Sequence, residues 1–580
     1  MKKKAILGIK YLAHDTAAAV MVDGKLLAAC EQERYTLDKH SRLFPVDAIH
    51  DCLRKARLTM DDVDEIAFGG DPAACIRRTY LESAIRDPKR VGMLIQEFDR
   101  VKEMFNVEEI IREKTGFQGP ISFFDHHLTH LASSYFPSGF QDAVLLSIDG
   151  VGDNKTMKLG VGRGGAIEVL HEEYDYPHSL GLAYAAITCY LGWKNVHHEG
   201  IIMALACFGD SDHVVPGQNR SYYSFFEEII QYDGRYGITI NPEWMAYYYE
   251  RNKWVSDRFV EVFGPRRKYD LATLNQHHKD ISAALQRRLE EVVLGVLRNA
   301  RKETGLKHLC LSGGVALNCS MNGRIERERV FDQIFVQPAS GDAGLAIGAC
   351  FLAQRARDPN YRPVKNHNYY LHSEFTDAEM EQALKEANVP YARPADLYGE
   401  LAKKLAAGKV LAWYQGGSEF GPRALGNRSI LAKPFPDGMR DHINDHVKFR
   451  EYFRPLAPAC LKEYLHEYFD IGQESPHMLI ACKVQPAKKT AIPATVHVDD
   501  SCRVQSVGPD NNERFYKLLK AFHAESGCPV LLNTSFNVKG QPIVHTPQQA
   551  IACFLGTQID LLALGDFVVD KEAIRRGAKA

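Results

Sequence analysis

The stretch DHHLTHLASSYFPSGFQDAVLLSID, residues 125–149, combines imidazoles and carboxylates at a spacing that suits metal binding. His126 and His130 are four apart and share one face of a helix, whereas His127 points about a quarter-turn away. The apolar run AVLLSI then reads as a strand ending in Asp149-Gly150. Asp342 stands in QPASGDAG, at a second strand-to-helix turn. Two imidazoles and two carboxylates form a donor set for Fe(II), Mn(II) or Zn(II) rather than Mg(II), provided the fold brings Asp342 to the other three.

Phosphate chemistry is suggested nearby. In DGVGD, residues 149–153, the glycines free the backbone to approach a phosphate, and an acid can hold hydrated Mg(II). Ser312-Gly313-Gly314 follows a strand and precedes an expected helix from about Val315, with Asn318 in its first turn. Glu199-Gly200 opens another expected helix, where the acid could accept from ribose hydroxyls. A basic set lies further on: Arg423 and Arg428 in GPRALGNRS, Lys448, Arg450 and Arg454 in VKFREYFRPLAP, and Arg503 in SCRVQS. These cations sit among Gly, Pro and aromatic residues rather than in charged helices. That setting suits a pocket for a ligand of dense negative charge, such as an acyl phosphate or a phosphate anhydride.

The elements that must position these groups repeat. Residues 5–10, 17–22 and 26–30 read as strand, polar loop, strand, tight turn, strand, with His14 and Asp15 in the loop. The same order returns in residues 143–170. A strand-loop-strand hairpin used twice is the pattern of duplicated actin-like and sugar-kinase folds, whose two polar loops face each other around nucleotide phosphates. Helical spacing is found over 47–57, 94–116 and 281–303, and Ala343–Ala353 reads as a small-residue helix packed close to a sheet. The polar, Pro-containing stretch 355–370 is the expected main boundary, giving an α/β chain with domains 1–360 and 361–580.

At 580 residues the chain exceeds a single core. A net charge of −2 offers no strong field for nucleic acid or an anionic membrane. No apolar run spans a bilayer, and Lys10 and His14 interrupt the first one, so the N-terminal residues read as a strand rather than a secretory leader. The 13 cysteines are scattered without CxxC pairs, as in a reduced cytoplasmic protein.

Nine blocks in order, HDTAAAV, HHLTHLASSYFPSGF, SIDGVGD, HEGIIMALACFG, LSGGVALN, PASGDAGLAIGA, EFGPRALGNRSIL, VKFREYFRPLAPA and LLNTSFNVKGQPIVHTP, cover essentially the whole chain. Together they resemble the ATP-dependent O-carbamoyltransferases, which include nodulation protein U and the cephalosporin and tobramycin carbamoyltransferases. The resemblance implies an N-terminal actin-like domain, similar to the enzyme that threonylcarbamoylates tRNA, and a C-terminal YrdC-like domain. It implies that carbamoyl phosphate and ATP, with Mg(II), form carbamoyladenylate in the second domain. The carbamoyl group then passes to a hydroxyl of a small-molecule acceptor, a natural product or sugar, in the first. It assigns His126, His130, Asp149 and Asp342 to a metal, usually Fe(II). Gly150, Glu199, Gly200, Gly313, Gly314, Val315 and Asn318 fall to the nucleotide, and His14 to catalysis. Arg423, Lys448, Arg454, Arg503 and Ser535 fall to the carbamoyl-phosphate and ATP pocket. One block departs from the pattern: Ile201 and Ala204 replace the lysine and glycine of the usual HEGK and MGLA. A tRNA-modifying enzyme would need a basic surface, and a sugar kinase would leave the two His and two Asp without work. A homodimer is compatible with the sequence; the acceptor is not readable from it.

Overall fold

A computed structural model of the chain describes residues 4–172, 174–250 and 252–577. It divides into two compact units. The first comprises 1–27, 42–49 and 57–366, and the second comprises 28–41, 50–56 and 367–580. The sequence suggests a single division near residue 360; in the structure two short early segments also join the second unit.

The first unit is built on two five-stranded sheets, with residues 28–31 at the end of one edge strand counted in the second unit. One is built from Ala5–Lys10 (β1), Ala17–Val22 (β2), Lys25–Glu31 (β3), Val63–Gly69 (β4) and Ile121–Phe124 (β5), in the order β3-β2-β1-β4-β5. The other uses Asp142–Gly152 (β6), Lys155–Arg163 (β7), Ala166–His171 (β8), His308–Ser312 (β9) and Gln333–Val336 (β10), in the order β8-β7-β6-β9-β10. The order is the same in both. So is the direction: β1 pairs antiparallel with β2 and parallel with β4, and β6 pairs antiparallel with β7 and parallel with β9. The unit is thus a duplicated, actin-like α/β fold. β1 and β2 are buried along their whole length, which explains runs as apolar as AILGI and AAAVMV in place of strict alternation.

Helices clamp the sheets. His126–Ser138 (α1) starts at an N-cap, Asp125, whose carboxylate accepts from Leu128 N at 2.6 Å. Gln276–Thr304 (α4), following Leu180–Tyr190 (α2) and Glu199–Ala206 (α3), is longer than its apolar spacing suggests. The Asn275 cap and left-handed Gly305 set its ends. After Cys319–Arg327 (α5) comes Leu345–Arg357 (α6), which packs tightly. A Cβ on Gly348 would lie 2.0 Å from Thr129 O of α1, and one on Gly8 would lie 2.0 Å from Ala346 O. Two expectations are corrected. The helix expected over 94–116 is three helices, Val91–Gln96, Phe98–Phe105 and Val107–Thr115, because the backbone leaves helical values at Glu97 and Asn106. The helix expected from Val315 begins at Cys319; Gly314–Leu317 is a 3-10 turn, and Asn318 is the N-cap rather than a first-turn residue.

The second unit is built on a seven-stranded sheet. Its strands are Leu411–Tyr414 (β11), Arg428–Ala432 (β12), Ala457–Leu461 (β13), Gln505–Val507 (β14), Val530–Ser535 (β15), Leu561–Leu564 (β16) and Phe567–Asp570 (β17). They run in the order β14-β13-β15-β12-β11-β16-β17. Its core gathers Leu384, Ala412, Ile430, Leu532, Phe554 and Leu562. All 13 cysteines are free thiols, most of them buried. No helix among the described residues is long and apolar enough to cross a membrane.

Candidate functional site

In the first unit, α1 presents His126 and His130 toward the C-terminal end of β6. There the ladder with β7 breaks between Ile148 and Gly152, which turns Asp149 out of the sheet. Asp149 Oδ2 lies 3.2 Å from His126 Nε2 and 3.3 Å from His130 Nε2. Asp342 opens a 3-10 turn ahead of α6, and its Oδ1 lies 3.5 and 3.7 Å from the same two nitrogens. The four donors all fall within 4.8 Å of one another. Metal–ligand bonds of about 2.1 Å imply donor separations of about 3 to 4 Å, so the spacing fits one cation. The remaining carboxylate oxygens are engaged: Asp149 Oδ1 accepts from Gly314 N at 3.2 Å, and Asp342 Oδ2 pairs with Lys10 Nζ at 3.0 Å. Close packing holds the rings, since a Cβ on Gly152 would lie 2.2 Å from the His126 ring.

His127 is excluded from this group. Its Nδ1 meets Ser147 Oγ at 2.8 Å and its Nε2 meets Lys155 O at 3.0 Å. Burial, reinforced by the neighbouring imidazoles, pushes it down to about 3, so it stays neutral. Asp342 is buried and Asp149 partly so, and loss of water alone would raise them. The imidazoles at Asp149, and Lys10 and the imidazoles at Asp342, outweigh it and keep both ionised.

His14 lies in the β1–β2 loop, between Leu12 and Asp15, both left-handed with φ of 78° and 59°. Its Nδ1–H donates to Asp15 Oδ2 at 2.9 Å. Burial opposes its charge, but Asp15 first, then Asp342 and Asp149, push it up to about 9. The imidazole therefore holds its proton while those carboxylates are unneutralised.

The residues matched to a nucleotide also gather in this unit. Ser179, the N-cap of α2, donates through Oγ to Asp149 O and Gly150 O at 3.1 and 2.7 Å, fixing the Asp-Gly turn. Gly313 has φ 84°, and a Cβ there would lie 2.2 Å from Ile148 O, so only glycine lets β9 run this close to β6. Val315 lies in the 3-10 turn that follows, and the Asn318 side chain caps α5 at Met321 N, 3.0 Å away. Glu199 Oε1 accepts from Val196 N at 2.5 Å, and Gly200 beside it faces open space. Sequence reasoning missed Lys10, Tyr184 and Gln286. Tyr184 donates to Gln286 Oε1 at 3.0 Å, and Gln286 exchanges hydrogen bonds with Asn318. Lone polar residues within apolar strands and helices, such as Lys10 in AILGIK, are the signal that could find them. Ile201, in place of the usual lysine, is buried.

The second unit carries a different kind of site. The EFGPRALGNRSIL stretch folds around buried Glu419, whose Oε1 accepts from Leu425, Asn427 and Arg428 N at 2.8, 2.8 and 3.1 Å. Arg34 holds Gly421 O at 2.6 Å, and Glu31 accepts from Gly421 N at 2.6 Å. The loop so shaped carries Arg423. Arg428 is fully buried and committed to carbonyls of Gln415, Gly416 and Asn427, so it is not available to a ligand. Lys448 and Ser535 do come together: Lys448 Nζ donates to Ser535 O, Ser535 Oγ and Asn537 O at 2.6, 3.1 and 3.0 Å. Burial, and after it Arg450, hold the Lys448 ammonium well below its ordinary range. Arg450 is held down likewise, by burial and then by Arg454 and Arg503. Arg503 Nε is buried with no hydrogen-bond partner among the described residues. Four basic groups so placed, with Glu451 at 3.5 Å from Arg454 and 3.3 Å from Lys539, make a setting that favours an anion.

The comparisons accord with this architecture. The Carbamoyltransferase N-terminus profile matches residues 5–351, and the Carbamoyltransferase C-terminus profile matches residues 402–571. The chain is 38% identical to sll1178 of Synechocystis sp., over 98% of this chain and 97% of that one. It is 36% identical to nodulation protein NolNO of Sinorhizobium fredii, over 96% and 79%. It is 32% identical to the 3'-hydroxymethylcephem-O-carbamoyltransferase of Streptomyces clavuligerus, over 67% and 68%. With both halves of one family's pattern present in order on a duplicated α/β fold, the chain belongs to the carbamoyltransferase family and is an enzyme of that family.

Proposed function

We propose that the enzyme is an ATP-dependent O-carbamoyltransferase working in two steps, one in each unit. The observation that carries this reading is the presence of two chemically distinct sites, a four-donor imidazole–carboxylate set and a cluster of crowded cations. In the second unit, which we read as the YrdC-like half, Lys448, Arg450, Arg454, Arg503 and the loop carrying Arg423 bind carbamoyl phosphate and ATP, with Ser535 orienting Lys448. Water releases carbamate and phosphate. The carbamate oxygen bonds to the α-phosphorus of Mg-bound ATP, the bond from that phosphorus to the bridging oxygen breaks, and pyrophosphate leaves. The cations balance charge that these anions bring and that builds on the leaving group.

In the first unit, the turns at Gly150, Gly313–Val315 and Asn318, with Glu199 and Gly200, cradle the nucleotide of carbamoyladenylate. His126, His130, Asp149 and Asp342 would hold a divalent cation, Fe(II) by the family resemblance and otherwise Mn(II) or Zn(II). When bound, it supplies Lewis acidity and neutralises Asp149 and Asp342. Asp15, the strongest of the three carboxylates that raise His14, keeps its Nδ1 fixed, and the neutral imidazole is the form that acts as base. His14 can accept the acceptor's hydroxyl proton at Nε2. The hydroxyl oxygen bonds to the carbamoyl carbon, the carbon–oxygen bond to the phosphate breaks, and AMP leaves.

The test supplies labelled carbamoyl phosphate, ATP and a panel of hydroxylated acceptors. AMP, pyrophosphate and phosphate should form in equal amounts with a labelled carbamate ester. Formation of ADP in place of AMP and pyrophosphate would refute the scheme. His14→Ala should keep pyrophosphate release and lose transfer by about 100-fold or more.

A further inference from the structure

The first unit contains a cavity of about 160 Å³ that counts His126 and Asp342 among its walls. Much of the rest of its lining comes from outside the duplicated sheets: from the helical insertion between β4 and β5, and from the segment around Tyr247 and Trp254. Arg90 ties these two walls together. Its guanidinium donates to Tyr248 O at 2.5 Å and to Thr79 O at 3.3 Å, and lies 4.3 Å from the Tyr248 ring centroid. The cavity is therefore held open by a buried, committed arginine rather than by loosely packed loops.

Two acids line it without a cationic partner. Asp153 Oδ2 accepts from Asp71 N and from His126 N, both at 2.8 Å, which locks the two acids side by side and fastens them to the helix that carries the donor set. Among the described residues no Lys or Arg pairs with Asp71 or Asp153. Of the other charges of the wall, Lys10 pairs with Asp342 at 3.0 Å and Arg100 with Glu97 at 3.5 Å, while the Arg90 guanidinium is spent on the carbonyls of Tyr248 and Thr79 and on the rings of Tyr176 and Tyr248. The aromatic lining includes Tyr176 and Trp254, both half-buried. Carboxylates accept and do not donate, so the occupant must bring donors. An anionic occupant would meet uncompensated like charge. Aromatic faces favour an occupant with an apolar C–H face. A cavity of about 150 Å³ holds one benzene, so a space of about 160 Å³ limits the occupant to a single ring rather than a chain of them.

We propose that this cavity is the acceptor subsite and that it binds one hydroxylated six-membered ring, a pyranose or cyclitol. Asp71 and Asp153 accept from its hydroxyls, Trp254 and Tyr176 pack against its C–H face, and one hydroxyl reaches toward His126 and Asp342. The assignment rests on the carbamoyl-transfer reading. It also explains why DGVGD ends in an acid: Asp149 serves the donor set and Asp153 serves the acceptor.

Saturation-transfer NMR on the full chain separates binding from turnover. The probes are methyl glycosides of the common hexoses and myo-inositol; cyclohexanol and glucose 6-phosphate are controls. At least one uncharged polyol should bind, with stronger transfer to its ring C–H protons, and neither control should. Asp71→Asn and Asp153→Asn keep an acceptor for the backbone N–H groups. Each should weaken that probe at least tenfold, and Trp254→Phe should weaken it less than Trp254→Ala. Pyrophosphate release from ATP and carbamoyl phosphate should stay within twofold in every variant. Absence of polyol binding, or binding indifferent to all four substitutions, overturns the acceptor subsite even if carbamoyl transfer to another alcohol is found. Polyol binding that obeys the substitutions without any carbamoyl transfer upholds the subsite and refutes the transferase scheme.

Discussion

At the scale of single residues, the two sites make opposite demands on charge, and each can be tested separately. His130 and Asp342 come from α1 and from the turn before α6, yet their donor atoms are 3.7 Å apart. Substituting either should lower affinity for a divalent cation by at least about 100-fold, because outer groups alone account for about 10- to 100-fold. Metal analysis of the purified variants checks this without any turnover; an unchanged metal content would reject the ligand set. Lys10→Met should give a smaller loss, since it removes only the partner that orients Asp342. In the second unit, Arg503 carries a buried Nε without a partner among the described residues. Charged hydrogen bonds contribute about 1.5–3 kcal/mol, so Arg503→Ala should slow pyrophosphate release by about 10- to 150-fold and leave metal content unchanged. Loss of both properties would indicate misfolding rather than a lost contact.

At the scale of elements, the first unit depends on small residues where a helix crosses a sheet or another helix. Gly8 and Gly348 each leave 2.0 Å to a backbone carbonyl for an added Cβ, so the backbone itself would have to move. Overpacking of this kind costs about 1–3 kcal/mol. Gly348→Ala should therefore lower the denaturant midpoint at unchanged slope, and it should also loosen metal binding, because α6 follows directly on the 3-10 turn that carries Asp342. A variant with full stability would show that the contact relaxes. The same elements show how far the sequence can be read. The buried strands at 5–10 and 17–22 are legible from their apolar runs. The breaks at Glu97 and Asn106 are not, since neither glycine nor proline marks them. The start of α5 at Cys319 is hidden because Gly313, Gly314 and the Asn318 cap are each compatible with an earlier helix; hydrogen bonding to Met321 N decides it.

At the scale of the whole molecule, two early segments, 28–41 and 50–56, belong to the second unit. They contribute Glu31 and Arg34 to the loop at Gly421, and Asp51, whose carboxylate accepts from Ser373 N at 2.9 Å and whose backbone oxygen accepts from Ser373 Oγ at 3.1 Å. A fragment of residues 367–580 alone leaves these groups unmatched in a buried setting. It should show no cooperative melt by circular dichroism, and adding the peptide 28–56 in trans should partly restore one. A fragment that melts cooperatively by itself would overturn this.

The amino-acid sequence by itself determines the duplicated strand pattern, the helix that puts His126 and His130 on one face, the acid at the end of β6 and the order of the nine blocks. These are local consequences of side-chain periodicity and turn chemistry, and they need no distant partner. Only the tertiary structure decides that Asp342, far along the chain, joins those histidines, that Lys10 is its counter-ion, that Arg428 is spent on carbonyls, and that Asp71 and Asp153 line one cavity. Each of those outcomes depends on which segments pack together, and packing sums many weak contacts between residues remote in sequence.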